Sequence, residues 1–208
     1  MDAFKEGHFH DRENREHTAE ITMSDKDGIS IKIFDSYGNP SGFMYLDYLQ
    51  GKRIFLSSIY CYIYFRRCGI ATMMSDLAGY LLRNYSGYLI IGAYNPYRAS
   101  LDDAEVSKEE LDIAARSFYK KMGYQIVSYD DYLNNRDKYS DLTSSDFFVS
   151  DEVHISTLVT KKIEKQKYPF YEKDGIIYQE EPIQGRKRKK FLLWSFFDII
   201  FLDVIRCM

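Results

Sequence analysis

From residue 18 to residue 65 the chain breaks at close intervals into short runs of β-type pattern, and from residue 73 the apolar period lengthens from two to between three and four. This switch bounds the fold more tightly than any composition figure, because side chains repeat every ~2 residues on a strand and every ~3.6 on a helix. Residues 19–23 precede Asp25-Lys26-Asp27-Gly28. Residues 29–34 alternate, with Ile29, Ile31 and Ile33 against Ser30 and Lys32, and precede Ser36-Tyr37-Gly38-Asn39-Pro40. Residues 42–49 precede Gln50-Gly51-Lys52, and 53–65 form a long Ile- and Tyr-rich run. Glycine, asparagine and aspartate at the breaks favour the backbone angles of hairpin turns. The first half therefore predicts an antiparallel meander of four strands.

Met73, Met74, Leu77, Ala78, Leu81, Leu82 and Tyr85 then mark an amphipathic helix. Residues 88–94 are continuously apolar and read as a buried strand, followed by a loop over 96–106. Ser107 and Glu110 have the spacing of a capping box, in which the serine hydroxyl and the glutamate carboxylate satisfy each other's backbone amides. Leu111, Ala114, Ala115, Phe118 and Met122 predict a second helix, closed by Gly123. Residues 124–129 and 154–162 are further strand candidates, joined by an acidic linker. The expected fold is α+β, a mixed and mostly antiparallel sheet flanked by helices, over residues 18–166.

Outside it, 1–17 reads as a polar leader carrying His8, His10 and His17, and 167–190 as a basic linker. Residues 191–208 form an apolar tail behind the basic run 186–190. Its twelve strongly apolar residues favour membrane insertion by roughly 4–7 kcal/mol, and Asp198 and Asp203 oppose it by about 5–7 kcal/mol. Peripheral membrane or protein contact through 186–208 is expected rather than a span.

Net charge is −3 over 208 residues, so no global basic field draws nucleic acid, and no nucleic-acid partner is expected. Cys61, Cys68 and Cys207 form neither a CxxC pair nor a Cys/His cluster, which argues against a disulfide framework and a structural metal. The first 17 residues lack the apolar stretch of a secretory signal, so a reducing cytoplasm is the expected compartment.

The chemistry concentrates in 59–72. Here a strand enters a tight loop with Gly69 and Ala71 and then a helix. Amides at a helix start point outward, the macrodipole favours an anion there, and small residues let a diphosphate approach. Arg66 and Arg67 add charge. The same loop could be a plain strand-to-helix turn that needs glycine for geometry. Arg66-x-x-Gly69-x-Ala71 nevertheless resembles the acyl-CoA loop of the GNAT N-acyltransferase superfamily. Ala115-Arg116-Ser117-Phe118-Tyr119-Lys120-Lys121-Met122-Gly123-Tyr124 resembles its second signature, with Asn95 ending the strand between.

The resemblance implies acetyl-CoA as co-substrate and no metal. It implies that the backbone of Ile59, Tyr60 and Cys61 pairs with the pantetheine arm, in a splay between that strand and 88–94. Arg66, Arg67, Cys68, Gly69, Ile70, Ala71 and Thr72 would hold the diphosphate. Asn95 would contact the pantetheine, and Tyr119 would be the general acid for the leaving thiolate. The acceptor would be an amine-bearing small molecule or protein. The strand 89–93 carries no carboxylate base. Ser57, Ser58, Asp47, a water relay or an amine arriving neutral remain as bases. A nucleophilic Cys61 or Cys68 would need a histidine such as His154 in reach, so buried thiols are expected. The competing readings are a CoA-binding module without turnover and a membrane-associated interaction protein.

Overall fold

The computed structural model describes residues 3–26, 28–49, 51–95, 107–150 and 153–180. Among them the strands are β1 (Ala3–His10), β2 (Glu16–Ser24), β3 (Gly28–Asp35), β4 (Pro40–Leu49), β5 (Arg53–Cys61), β6 (Leu89–Ala93), β7 (Gln125–Ser128), β8 (Phe148–Ser150), β9 (Val153–His154), β10 (Thr157–Lys162), β11 (Phe170–Lys173) and β12 (Ile176–Gln179). The helices are α1 (Ile70–Leu81), α2 (Lys108–Lys121) and α3 (Tyr129–Asn134). β8 and β9 pair separately, and the rest form one sheet in the order β11-β12-β1-β2-β3-β4-β5-β6-β10-β7. Neighbours are antiparallel except β5–β6 and β1–β12. The fold is thus α+β with a mixed, mostly antiparallel sheet, and the predicted meander is β2 to β5.

Alternation explains the layering. Ile21, Ile31, Ile33, Met44, Leu46 and Ile54 face one side and are at most 1 % exposed. They pack with Ile70, Met74 and Leu77 of α1, and Phe118 and Tyr119 of α2 join the same core. Each such buried aliphatic stabilises the fold by about 1.5–3 kcal/mol. α2 starts as its sequence predicts: Ser107 Oγ accepts from the Glu110 amide at 3.2 Å, and Glu110 accepts from the Ser107 amide at 3.0 Å. The long apolar run after Arg53 stops being strand at Cys61 and continues as a 3-10 turn over Ile63–Phe65.

Three expectations are corrected. Within the expected leader 1–17, residues 3–17 are part of the fold: β1 pairs with β2 from Ala3↔Met23 to His10↔Glu16, and His17 is 2 % exposed. Its polar residues alternate with buried ones, so Phe9 faces the core while His8 and His10 face out. Residues 167–180 are not a linker, because β11 and β12 form a hairpin through Asp174 (φ 53°) and Gly175 (φ 80°) and bury Phe170 and Ile177. The acidic linker after β7 holds α3 and a second core of Val127, Tyr132, Leu142, Phe147 and Leu158 on the sheet's other face. Residues 181–190 and the apolar tail 191–208 lie outside the described residues. Among the described residues, no helix is long and apolar enough to cross a membrane, and no three His, Cys, Asp or Glu side chains gather for a metal.

An ion pair ties that second core to the start of β5. Arg53 Nε donates to Asp146 Oδ1 at 2.9 Å, its Nη2 donates to the Asp141 carbonyl at 2.8 Å, and Asp146 Oδ2 accepts from the Thr143 amide at 2.7 Å. Asp146→Ala is expected to destabilise the protein by roughly 2–4 kcal/mol, because it strands a mostly buried guanidinium and an amide. Urea unfolding measures this, and a loss below about 1 kcal/mol would show the pair to be idle.

Candidate active site

The site begins where two parallel strands part. β5 and β6 pair only over 53–55 with 89–91. Gly92 is the last close approach, since a Cβ there would stand 3.0 Å from the Leu56 carbonyl oxygen. Beyond it β4 holds β5 on one side, with Met44↔Ile59, Phe43↔Tyr60 and Gly42↔Cys61, while β10 holds β6 on the other. The edge of β5 from residue 57 to 61 therefore faces a wedge with no strand partner among the described residues. A bulge at Tyr45/Leu46 makes Ser57 the extra residue, and Ser57 Oγ donates to the Tyr45 carbonyl at 3.2 Å. Such a bulge bends its strand and re-aims the residues beyond it.

The chain then turns through Arg67 (φ 65°) and Gly69 (φ 93°) into α1. Gly69 is the N-cap and supplies no side-chain acceptor, so the amides of the first turn are not capped from within. This start of α1 borders a cleft of about 630 Å³. Arg66, Arg67, Ile70, Ala71 and Thr72 form one wall, and Ala114, Ser117 and Phe118 of α2 form the other. Arg12, Arg66, Arg67 and Lys121 bring four cations to the lining, and among the described residues no acidic side chain lines it. A helix start and clustered cations both favour negative charge.

The structure brings together Cys61, Arg66, Arg67, Gly69, Ile70, Ala71 and Thr72 on this cleft. Cys68 does not line it: its side chain is buried behind the loop, with Sγ donating to the Arg66 carbonyl at 3.4 Å. Ile59 packs on the core, and Tyr60 points to the opposite face against Phe43, 5.4 Å between ring centres. Both offer backbone alone to the wedge. Asn95 is exposed just past β6. Tyr119 sits beside the end of β6, its ring 6.0 Å from Tyr94 and 5.5 Å from Tyr124. Burial pushes its phenol above the ordinary value, and its hydroxyl has no hydrogen-bond partner among the described residues. The Tyr94 hydroxyl, by contrast, donates to Asp112 Oδ1 at 2.7 Å.

Burial disfavours the anionic form of both cysteines. Burial pushes the Cys61 thiol up to about 12 and raises Cys68 as well, and a thiol attacks as its anion. His154 packs on Tyr129 and Phe148 in the β8–β9 region. Asp47, Ser57 and Ser58 meet in a second cleft of about 410 Å³ with Ser30 and Tyr45. It opens on the face away from α1, since Asp47 pairs with Phe55, whose ring joins the second core.

Sequence reasoning missed two lining cations. Lys121 ends α2, and Arg12 comes from the β1–β2 turn, inside the supposed leader. Asp11 and Asn14 were the available turn signals there.

No family model and no curated protein matches this chain. Solved structures similar to it include a GNAT-family acetyltransferase from Staphylococcus aureus Mu50, at 15 % identity over 65 % of this chain and 68 % of that one, with a TM-score of 0.44. An aminoglycoside 6′-N-acetyltransferase complexed with coenzyme A is 15 % identical over 67 % and 74 %, with a TM-score of 0.41. A GNAT-family N-acetyltransferase from Escherichia coli in complex with CoA is 11 % identical over 73 % and 66 %, with a TM-score of 0.40. With TM-scores below 0.5, these likenesses leave the assignments to the residues and geometry above.

Proposed function

We propose that this chain is an N-acetyltransferase that moves the acetyl group of acetyl-CoA to a primary amine by direct attack in a ternary complex. One observation carries the reading: the β5–β6 wedge opens beside a cleft whose charged residues, among those described, are all cations, at the uncapped start of α1. A diphosphate needs such charge and amides, and an amide-bearing pantetheine arm needs an unpaired strand edge. The residues present fit both.

Arg66, Arg67 and the backbone of Cys68, Gly69, Ile70, Ala71 and Thr72 hold the diphosphate. The β5 edge at Ile59, Tyr60 and Cys61 pairs with the pantetheine, and Asn95 contacts it from the end of β6. These contacts place the thioester carbonyl within reach of a neutral amine, and such positioning lowers the barrier without any covalent enzyme intermediate. As the amine nitrogen bonds to the carbonyl carbon, the C–S bond breaks. Tyr119 gives its proton to the departing sulfur and takes one back from solvent, while the proton lost by nitrogen passes to solvent. Burial keeps the phenol in its proton-bearing form until the thiolate departs. The cleft around Asp47 and Ser58 receives the acceptor on the other face, where Asp47 attracts an arriving ammonium group, which loses a proton to solvent before it attacks.

Calorimetric titration of the full chain with acetyl-CoA tests the reading, beside Ala71→Asp. Ala71 lies in the lining between Gly69 and Thr72, so a carboxylate there is expected to weaken binding at least tenfold, through repulsion and lost approach of the backbone. No binding by the folded wild-type chain would remove the reading. Binding without turnover across a panel of amines would leave a CoA-binding module.

A further inference from the structure

The turn between β1 and β2 is organised around one carboxylate. Asp11 Oδ1 accepts from the amides of Glu13 at 2.8 Å and Arg15 at 3.0 Å. Its Oδ2 accepts from Arg15 Nε at 2.8 Å, with His17 Nε2 at 3.2 Å. Burial works against this charge, but the donors outweigh it and hold the carboxyl below its usual range. His17 passes the network on, its Nδ1 lying 3.3 Å from the Ser41 hydroxyl. Arg15 also lies over the Phe65 ring, 5.7 Å from its centre. The hairpin is therefore docked on the loop that leads into α1.

Within this frame Asp11 is matched by Arg15, and Arg12 is left over. The Arg12 amide donates to the Cys68 carbonyl at 2.9 Å. Its side chain lies across Gly69: a Cβ there would stand 3.0 Å from Arg12 Cγ and 3.2 Å from Nε. No carboxylate pairs with its guanidinium among the described residues, and it lines the cationic cleft. The backbone contact and Gly69 thus hold the Arg12 guanidinium at a cleft of like charge. Like charges repel, and an anion bound among them would make their gathering favourable.

We propose that Arg12 is a ligand for the diphosphate of the acyl-CoA, delivered to the start of α1 from a hairpin outside the β5–α1–β6 unit. The proposal rests on the reading of the cleft as the CoA site. Contact with Gly69, the N-cap itself, directs Arg12 to the anion held by the first-turn amides rather than to a phosphate further along the ligand. Its planar fork offers a phosphate two parallel donors, which an ammonium group does not.

The test is calorimetry of the full chain, wild type and Arg12→Gln, with CoA, 3′-dephospho-CoA and pantetheine. Arg12→Gln is expected to weaken CoA and dephospho-CoA alike, by roughly ten- to hundredfold, and to leave pantetheine and the melting temperature unchanged. Arg12→Lys keeps the charge and loses the fork, so it should fall between the two. Should Arg12→Gln misfold, the lysine variant alone must weaken both phosphorylated ligands relative to pantetheine. Weakening of CoA but not dephospho-CoA would move the contact to the 3′-phosphate and overturn the diphosphate assignment. Equal binding by variant and wild type would overturn the role of Arg12 outright. A wild-type chain that binds none of the three, or binds CoA no better than pantetheine, would instead sink the CoA reading of the cleft and this proposal with it.

Discussion

Tyr119→Phe is expected to lower turnover by roughly 10²–10³-fold while leaving CoA affinity within a factor of about two. The ring is held by Tyr94, Phe118 and Tyr124, and phenylalanine keeps those contacts. What disappears is a hydroxyl that the described residues leave without a partner. An interaction made only as the thiolate departs should cut kcat and kcat/KM together. The pH profile adds a second readout. Burial raises the Tyr119 phenol, so the acid form should persist beyond the ordinary phenol range near ~10, and any rise from low pH should report the amine losing its proton. Tyr94→Phe is the control, since its hydroxyl is already bonded to Asp112; it should change turnover by less than about fivefold. Unchanged turnover in Tyr119→Phe would mean that the thiolate finds its proton elsewhere.

Gly28→Ala is expected to cost roughly 3–5 kcal/mol, a large share of the ~5–15 kcal/mol that folded domains retain. Gly28 opens β3 with φ 93°, and a Cβ there would stand 1.9 Å from the Leu46 carbonyl oxygen and 2.9 Å from the Asp47 Cα. Both neighbours are backbone, so no side chain can swing away. Gly38→Ala separates the two causes. That glycine has φ 82° but nothing within 4 Å of its missing Cβ, so only the left-handed strain of about 1–2 kcal/mol applies. Urea unfolding of the pair reads the difference. Equal losses would show that β3 and β4 do not need this close approach. The site would feel the loss too, because Asp47 and Ser58 are placed by the same stretch of β4 and β5.

Local signals made part of this protein legible in advance. The meander was readable because Ile29, Ile31 and Ile33 alternate between turn residues, and α1 because its apolar residues hold one helical face. The loop from Arg66 to Thr72 was readable because strand, glycine, small residue and helix succeed one another without a break. What escaped was non-local or weakly periodic. β1 buries only one large side chain, Phe9, so its alternation looked like plain polarity. The pairing of β1 with β12 joins distant parts of the chain, and no sequence window holds both. Tyr132, Tyr139, Leu142 and Phe147 share a core at irregular spacing, hidden among acidic and serine residues. Within the site, Cys68 is in the loop by sequence yet turned behind it, and Arg12 reaches the loop only because Asp11 folds its hairpin.

The parallel pair of β1 and β12 sets an order of assembly. Lys5 Nζ meets Glu172 Oε2 at 2.6 Å across 167 positions of chain. Contacts so remote in sequence form late, after the loop between them has closed. During synthesis β1 emerges ahead of the other described strands, with one row of amides and carbonyls satisfied by β2 and the other bare. A bare strand edge invites a neighbouring chain. The β11–β12 hairpin is then the guard that closes this edge last. Until it arrives, a nascent chain can already hold its Arg12 turn against the helix start while remaining open to self-association.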